Sequence, residues 1–497
     1  MLKISALKPS SCSFTKVIPS DNLFKELGKN TYNFKDMLSE LIDNSIAARI
    51  DGKLLNVSIY IYYNNERKAT KIIILDDAKG IEKIKLGKAL SPAAIKTKNS
   101  LNEHGMGMKQ AISGMGDLEY LATKVKDETT ARVILELKFG DINTYESTEF
   151  PYDHGTEICI KNAKEIVTAS ASAITQHIVP YLGARYRNFL KPDNKLMNLE
   201  INLVNEETNF TTNHWDVVEV KPVYFHPSTR TNKPIILDFP VKGDGWQAKL
   251  TFGYAPSSKE ELKELGLDKL EKYDPYYVSL SKQGIDILLH ERVILFHQLS
   301  ELGIVGSKHP SFNTIRGEIK LIKGFETAVT KNSIMEDTHY IELIKKITDI
   351  LTGKEAGPGG DKKDYIEMKN YPEKLPEKLV RDRLKTWLKS NIVAPKENVE
   401  TEYNVGAIEG FIDVIADGEA WEIKMEQASA YDVYQLFMYM DVGNIAKGYL
   451  LAKSFSTGAN EAVKHIKTKH QKEIILDKLE NFPIIHSATA DERETYY

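Results

Sequence analysis

A carboxylate and a carboxamide stand four residues apart in the segment MLSELIDNSIAAR, as Glu40 and Asn44. Residues with this spacing lie one turn apart on the same face of a helix. The pair can position a water molecule and a Mg²⁺ ion, which prefers oxygen ligands. For this segment alone, the alternative interpretation is a solvated helix edge.

Two aspartates follow the apolar run KIIIL, as Asp76 and Asp77. The run predicts a buried strand over residues 71–75, and ligand sites in α/β folds commonly form where strands end. Gly80 permits a sharp turn or a close approach of the backbone to a ligand. The segments EYLATK and HGTEICIKN predict two further strands, the second of which carries Thr156 directly after a glycine.

Glycines also precede a predicted helix in the segment LNEHGMGMKQAISGMG. The helix begins near Met108, and Gly105 and Gly107 lie just before it. Backbone N–H groups at the start of a helix can bind phosphate, and Lys109 adds a positive charge. The sequence contains no GxxxxGK[ST] pattern, so this segment is not a Walker A loop.

A second set of charged residues surrounds a predicted β-hairpin. Asp417 and Gly418 between two strand-like runs favour a two-residue turn. Counting outward from this turn places Asp413 opposite Glu422, with Lys424 on the same face. The two carboxylates repel each other unless a divalent cation such as Mg²⁺ lies between them, and the lysine can hold a water molecule beside it. The apolar face of the hairpin suits a core and carries Ile412, Val414, Trp421 and Ile423. The alternative is an edge hairpin with solvated charges.

The elements that position these residues divide the chain into regions. The helix of Glu40 is predicted from an apolar stripe with helical spacing. The stripe consists of Met37, Leu38, Leu41, Ile42 and Ile46. Strand-like runs are also predicted at 278–280 and 285–289. The predicted regions are a polar N-terminal arm at 1–30, an α/β domain at 31–165, a mixed α/β domain at 166–350, a solvated, glycine-rich linker at 351–364 and a C-terminal domain at 365–497.

The composition is that of a globular protein, with 42% hydrophobic and 27% charged residues. No apolar run is long enough for a membrane-spanning helix, and the N-terminus does not resemble a secretory signal. Cys12 and Cys159 give neither a metal cluster nor a disulfide framework, which suits a reducing cytoplasm. The net charge of −4 argues against a uniformly basic surface but leaves a local basic groove open.

The order of the N-terminal motifs resembles the nucleotide-binding fold of the GHKL ATPases (gyrase, Hsp90, histidine kinase, MutL). ELIDNSIAA and HGMGMKQA are similar to the MORC branch of that superfamily. The resemblance covers about residues 30–165 and implies a Bergerat-type sandwich that binds ATP and Mg²⁺. It implies that Glu40 is the base that orients the attacking water and that Asn44 holds Mg²⁺. The nucleotide-binding residues that it implies are Asn44, Asp76, Gly80, Gly105, Gly107, Lys109 and Thr156.

Within this resemblance, Asp76 accepts a hydrogen bond from the adenine amino group, and Thr156 assists at the adenine side. Ala78 departs from the family, which commonly has glycine there, so a negative φ is expected at this position. Residues from about 82 to 104 correspond to a mobile lid over the phosphates.

Residues 166–350 resemble the transducer domain that follows GHKL modules in the MORC, MutL and Hsp90 groups. The resemblance implies that a lysine reaches the γ-phosphate, and Lys331 is the candidate, with a solvated loop lysine as the alternative. It also implies a homodimer that ATP closes, in which residues 1–30 act as an exchanged arm. A frayed terminus is the alternative for those residues.

The C-terminal charged residues resemble the motif of PD-(D/E)xK nucleases, over about residues 375–455. In this resemblance Asp413 and Glu422 hold Mg²⁺ or Mn²⁺, which activates water against a phosphodiester. Lys424 orients the nucleophile or stabilises the developing negative charge. The residue before Asp413 is Ile412, where the family motif has proline; this departure is frequent in the family. Further positions that match the family are Glu377, Gln435 and Tyr439.

The sequence therefore predicts an α/β (α+β) multidomain protein with a C-terminal restriction-endonuclease-like α/β domain. The predicted function is an ATP-gated, metal-dependent nuclease of the cytoplasm, with DNA as the expected substrate and RNA left open. The segment KLVRDRLKTWLK is a candidate for backbone binding. By analogy of architecture, an unknown protein partner and a role in defence against foreign DNA also fit. Two alternatives stay open, a MORC-like DNA clamp without cleavage and an Hsp90-like chaperone. A histidine kinase fits less well, because only a short segment precedes the helix of Glu40.

Overall fold

The computed structural model describes residues 19–29, 32–93, 105–226, 231–267, 276–328, 333–367, 375–406, 408, 410–486, 488–489, 492 and 495–496. The chain divides into two compact units. Unit 1 comprises residues 1–226 with 230–369, and unit 2 comprises residues 227–229 with 370–497. No helix in the described ranges is long and apolar enough to span a membrane.

Unit 1 begins with an eight-stranded sheet. Its strands are β1 (Leu55–Tyr63), β2 (Ala69–Asp76), β3 (Asp117–Lys124), β4 (Ala131–Ile134), β5 (Tyr145–Ser147), β6 (Gly155–Lys161), β7 (Met197–Asn205) and β8 (Phe210–Asp216). They lie in the order β5-β4-β3-β6-β2-β1-β7-β8. The helices of this part are α1 (Asn22–Leu27), α2 (Phe34–Ala47), α3 (Lys83–Leu90), α4 (Gly107–Met115), α5 (Ala171–Ala173), α6 (Val179–Arg185) and α7 (Arg187–Leu190).

The first sheet extends beyond residue 165, where the sequence predicted a domain boundary. β7 pairs in parallel with β1 along its whole length, from Leu55↔Met197 to Tyr63↔Asn205. β8 then pairs with β7 in the antiparallel sense. Residues up to Asp216 therefore complete the sheet that begins with β1, rather than the next domain.

The helix α2 forms because its start is capped and one face is apolar. The Asn33 side chain accepts a hydrogen bond from the Asp36 amide, and the Asp36 carboxylate accepts one from the Asn33 amide. Together these two bonds form a capping box. The predicted apolar stripe is confirmed, since all five of its residues are buried in the core of the first sheet. This packing fixes the helix that carries Glu40 and Asn44.

Residues 19–29 of the predicted N-terminal arm pack against the rest of unit 1. Residues 19–29 include the short helix α1, whose Phe24 is buried and packs on Phe139 with ring centroids 5.1 Å apart. The Asp21 carboxylate accepts a hydrogen bond from the Phe139 amide (2.7 Å). Residues 1–18 and 30, which belong to the same predicted arm, lie outside the described residues.

A second, five-stranded sheet follows in unit 1. Its strands are β9 (Ile236–Lys242), β10 (Gln247–Tyr254), β11 (Gly284–Leu289), β12 (Arg292–Gln298) and β13 (Ile315–Lys323), in the order β12-β11-β13-β10-β9. The helices α8 (Lys259–Glu264) and α9 (Thr338–Leu351) belong to this part, and α9 packs in its core. The predicted strand at 285–289 is confirmed as β11. The predicted strand at 278–280 is wrong, because Leu280–Lys282 forms a 3-10 turn.

Residues 351–364, which were predicted to be a solvated linker, belong to unit 1. The backbone of Thr352 forms a bridge with Asp364. Tyr365 and Ile366, directly after it, are buried in the core of the second sheet, and Tyr254 donates a hydrogen bond to the Ile366 carbonyl (3.0 Å). These apolar residues anchor the segment, and the division between the units falls between residues 369 and 370.

Unit 2 is a five-stranded mixed sheet with helices on both faces. Its strands are β14 (Val399–Val405), β15 (Gly410–Ala416), β16 (Glu419–Ala428), β17 (Lys447–Phe455) and β18 (Glu473–Lys478), in that order. The strands β14 to β16 are antiparallel, and β16 to β18 are parallel. The helix α10 (Glu377–Ser390) packs on one face, and α11 (Ala430–Val442) and α12 (Thr457–His470) pack on the other.

Candidate functional site

A cavity of about 290 Å³ lies between α2, α3, α4 and the ends of β2 and β6. It brings together most of the N-terminal residues that the sequence singled out. The members of that set that line it are Asn44, Asp76, Gly80, Gly105, Lys109 and Thr156. A larger cleft of about 890 Å³ borders another face of α3; residues of the predicted lid line it, but none of the predicted catalytic or nucleotide-binding residues do.

The Asp76 carboxylate is buried at the end of β2 and held by three hydrogen bonds. One oxygen accepts from the amides of Ala78 (3.0 Å) and Thr156 (3.1 Å), and the other accepts from the Ser45 hydroxyl (2.7 Å). Burial raises the pKa of Asp76 to about 6, although these three donors act in the opposite direction. Ser45 was not predicted, but it follows Asn44 directly on the helix that lines the cavity.

Two glycines allow backbone approaches that a side chain would prevent. Gly80 has a φ of +70° and lies against the Lys124 carbonyl, which a Cβ would strike. Gly107, at the first position of α4, lies against Glu40, and a Cβ there would overlap the Glu40 carboxylate. Gly105 also has a positive φ, of +63°.

Glu40 is buried beneath the start of α4 rather than at a solvated helix edge. The Tyr32 hydroxyl donates a hydrogen bond to its carboxylate, and burial together with the charge of Glu40 raises the pKa of Tyr32. Asn44, one turn further along α2, lines the cavity, and its Nδ2 is buried with no hydrogen-bond partner among the described residues. The two side chains therefore present a carboxylate and an unsatisfied carboxamide on neighbouring turns.

The remaining predicted positions occupy varied surroundings. The Lys109 ammonium is buried at the cavity and donates to the carbonyls of Ala89 and Gly105, the latter at 2.8 Å. The Thr156 hydroxyl lies 3.2 Å from that of Thr123. Ala78 is absent from the described residues with positive φ, as expected for an alanine. Lys331 and residues 94–104 of the predicted lid lie outside the described residues.

Comparison with known families agrees with this geometry. Residues 32–163 match the family model of histidine kinase-, DNA gyrase B-, and HSP90-like ATPases. This segment is a GHKL-type ATPase domain. No curated protein shows significant similarity to the chain.

The GHKL domain implies ATP and Mg²⁺ as cofactors, and the residues present fit both. Asn44 lines the cavity and would bind the metal through its carboxamide oxygen, and the buried Lys109 ammonium at the same cavity would supply positive charge for the phosphates. Bound Mg²⁺ neutralises phosphate charge during hydrolysis. Glu40 can accept a proton from water, and Asp76 can accept a hydrogen bond from an amino group of the base.

A buried ionic network joins α2 of the GHKL domain to the second sheet. Arg292, the first residue of β12, forms an ion pair with Asp43, which lies one turn from Glu40. The Tyr186 hydroxyl donates to Asp43 (2.9 Å), and Arg185 donates to the Val293 carbonyl (3.1 Å). This network could not be predicted from the sequence, because its members are far apart in the chain and no motif marks them.

In unit 2, three charged side chains meet on β15 and β16. The Asp413 carboxylate accepts from the Ile423 amide (2.8 Å), and the Lys424 ammonium lies 3.3 Å from Glu422. Burial raises the pKa of Glu422 to about 7, and the negative charge of Asp413 adds to this effect. Burial likewise raises the pKa of Asp413. For Lys424, burial is outweighed by the carboxylates, which raise its pKa.

The predicted hairpin turn is confirmed, but the strand pairing is shorter than expected. Ala416 pairs with Glu419, and the ladder ends at Val414↔Trp421, one pair before Asp413. All four residues of the predicted apolar face are buried. However, Ile412 packs with α11, whereas Val414 packs with α10. The side chains of Ile412 and Val414 therefore point to opposite faces of the sheet, although they are two residues apart on β15. The neighbouring residue on β14, Glu402, has a φ of +53°.

The other predicted residues of unit 2 lie on its helices. Glu377 is exposed at the start of α10, and its charge acts on Asp413. Gln435 and Tyr439 lie on α11, where the Gln435 amide donates to the Tyr439 hydroxyl (2.9 Å). Tyr439 packs against Gly410, at the start of β15.

Proposed function

We propose that this protein is a nuclease that requires a divalent metal and is controlled by ATP at its GHKL domain. The main support for the proposal is the environment of the Glu422 carboxylate. Its Oε2 is buried without a hydrogen-bond partner among the described residues, and it lies beside a second, partly buried carboxylate, that of Asp413. Buried carboxylates that repel each other are costly unless a cation binds them, so the pair fits Mg²⁺ or Mn²⁺.

The chemistry of the surrounding groups fits hydrolysis of a phosphodiester. A metal held by Asp413 and Glu422 supplies Lewis acidity and lowers the pKa of a bound water. Lys424 is kept protonated by the carboxylates and can stabilise negative charge at the reacting phosphate. Glu377, whose charge acts on Asp413, adds a third carboxylate to the same region. This combination supports the resemblance to PD-(D/E)xK nucleases.

The proposal includes a controlling role for the nucleotide. ATP binding at the GHKL domain closes a homodimer, and closure licenses cleavage by unit 2. The match of residues 32–163 supports the ATP-dependent part. DNA is the proposed substrate, and defence against foreign DNA is the proposed role, by analogy with proteins that join such domains.

Plasmid cleavage by the full chain tests the nuclease. Wild-type protein should cut DNA with Mg²⁺ or Mn²⁺ and lose this activity with EDTA or in Asp413→Ala. Glu419→Gln is the matched control, because Glu419 lies on the same strand as Glu422 but pairs with Lys396 and Lys447. This control should cut normally.

The outcomes separate the proposed function from its alternatives. Loss of cleavage in Asp413→Ala but not in Glu419→Gln supports the nuclease. Intact ATP turnover without cleavage under any condition contradicts it and favours an ATP-dependent DNA clamp. Metal-independent binding of unfolded proteins, with neither cleavage nor DNA binding, favours a chaperone.

A further inference from the structure

The network around Asp43 places a charge of the second sheet next to the candidate base of the GHKL domain. Asp43 follows Glu40 by three residues on α2, so both side chains share one helix face, and both are buried. Arg292 pairs with Asp43, and its guanidinium is attracted by the charge of Glu40 as well. Burial lowers the pKa of Arg292 to about 10, so the group stays positive at neutral pH.

We propose that Arg292 is a positioning residue for ATP hydrolysis, which holds Glu40 through α2 and makes the base dependent on the second sheet. This role of Arg292 concerns ATP hydrolysis at the GHKL domain and is independent of the proposed nuclease. Arg292 is thus a residue outside the matched segment 32–163 on which the site of that segment depends.

The physical reason is the cost of an unpaired charge inside the protein. Asp43 is fully buried, and without Arg292 its carboxylate keeps the Tyr186 hydroxyl and Arg185, whose guanidinium is 3.9 Å away. The remaining charge would draw α2 toward Arg185 or toward solvent. Glu40 lies on α2 as well, next to Tyr32, which precedes the helix. A shift of α2 would therefore move the Glu40 carboxylate relative to the start of α4. Displacement of the second sheet would have the same effect, which couples its position to the rate of hydrolysis.

The test compares two buried arginines of the second sheet in the full chain. Arg292→Met should lower kcat for ATP by on the order of 10²-fold, the loss typical of a misplaced catalytic group, and leave KM and the Kd for ADP unchanged. Arg292→Lys keeps the charge and should recover part of kcat. The control is Arg316→Met, since Arg316 donates to the carbonyls of Tyr276, Tyr277, Asn313 and Ile315.

Hydrogen exchange gives a readout that does not depend on turnover. In Arg292→Met, the amides of α2 should exchange faster than in wild-type protein without nucleotide, whereas Arg316→Met should leave α2 unchanged. The inference is overturned if folded Arg292→Met has the kcat of wild-type protein, if KM rises in its place, or if Arg316→Met lowers kcat equally. If Arg292→Met does not fold, Arg292→Lys compared with Arg316→Lys decides by the same criteria.

Discussion

The backbone of Gly107 lies directly against the carboxylate of Glu40, so closely that a Cβ at this position would overlap it. The second glycine of the HGMG segment therefore makes room for the Glu40 side chain. It also brings the start of α4 into direct contact with α2.

Gly107→Ala should therefore displace Glu40 and lower kcat for ATP by on the order of 10²-fold. The matched control is Gly87→Ala on α3, where an added Cβ meets no atom within 4 Å. That variant should keep its turnover and gain up to about 1 kcal/mol of stability from helix propensity. Steady-state ATPase assays and thermal unfolding measure both effects. Normal turnover in Gly107→Ala would show that the position of Glu40 is not critical.

Asp76→Asn should weaken nucleotide binding without harming the fold. An asparagine oxygen can accept from the amides of Ala78 and Thr156, and its NH₂ group can donate to the Ser45 hydroxyl. The NH₂ group would then face the amino group of the adenine base, so that two donors oppose each other. The affinity for the nucleotide should fall by roughly 10- to 100-fold. Calorimetric titration with ADP measures the change. The control is Asp77→Asn. In the wild-type protein the Asp77 carboxylate accepts hydrogen bonds from Asn56, outside the cavity.

The pKa of Asp76 predicts a pH dependence of stability. It rises from 3.8 to about 6 on folding, so the folded state binds more protons between these values. This group therefore stabilises the protein at low pH, and the contribution is lost as pH rises through 6. Wild-type protein and Asp76→Asn should differ little in stability near pH 4. At pH 8 the variant should be more stable by roughly 3 kcal/mol. Calorimetry of the nucleotide-free proteins measures this, and equal differences at both pH values would contradict it.

Divalent metal should stabilise unit 2 through Glu422. Without metal, Glu422→Gln removes a buried charge beside Asp413 and should raise stability by roughly 3 kcal/mol at pH 8. Mn²⁺ should raise the unfolding temperature of wild-type protein but not that of Glu422→Gln. The Glu419→Gln variant should respond to Mn²⁺ as wild-type protein does. An identical response of all three proteins would place the metal elsewhere.

The elements that local patterns define were predicted well from the sequence. The helix α2, the strand that ends at Asp76, the turn at Asp417 and the glycines at the start of α4 all depend on nearby residues. Their periodicity and turn chemistry suffice to locate them.

The contacts that were missed are non-local. The parallel pairing of β1 with β7 and the ion pair of Arg292 with Asp43 join distant segments of the chain. The face change at Ile412 follows from an irregularity beside Glu402 on a neighbouring strand. Neither hydrophobic periodicity nor motif spacing contains this information.

The most direct test of nucleotide control is plasmid cleavage by full-length protein with Mg²⁺ and no nucleotide, ATP or a non-hydrolysable ATP analogue. Asp76→Asn and Glu40→Ala serve as the binding and hydrolysis variants. If the GHKL domain controls cleavage, ATP should change the cleavage rate of wild-type protein, Asp76→Asn should not respond at the same ATP concentration, and Asp413→Ala should never cut. Cleavage that is equal in all nucleotide states and in Asp76→Asn would contradict control by the GHKL domain.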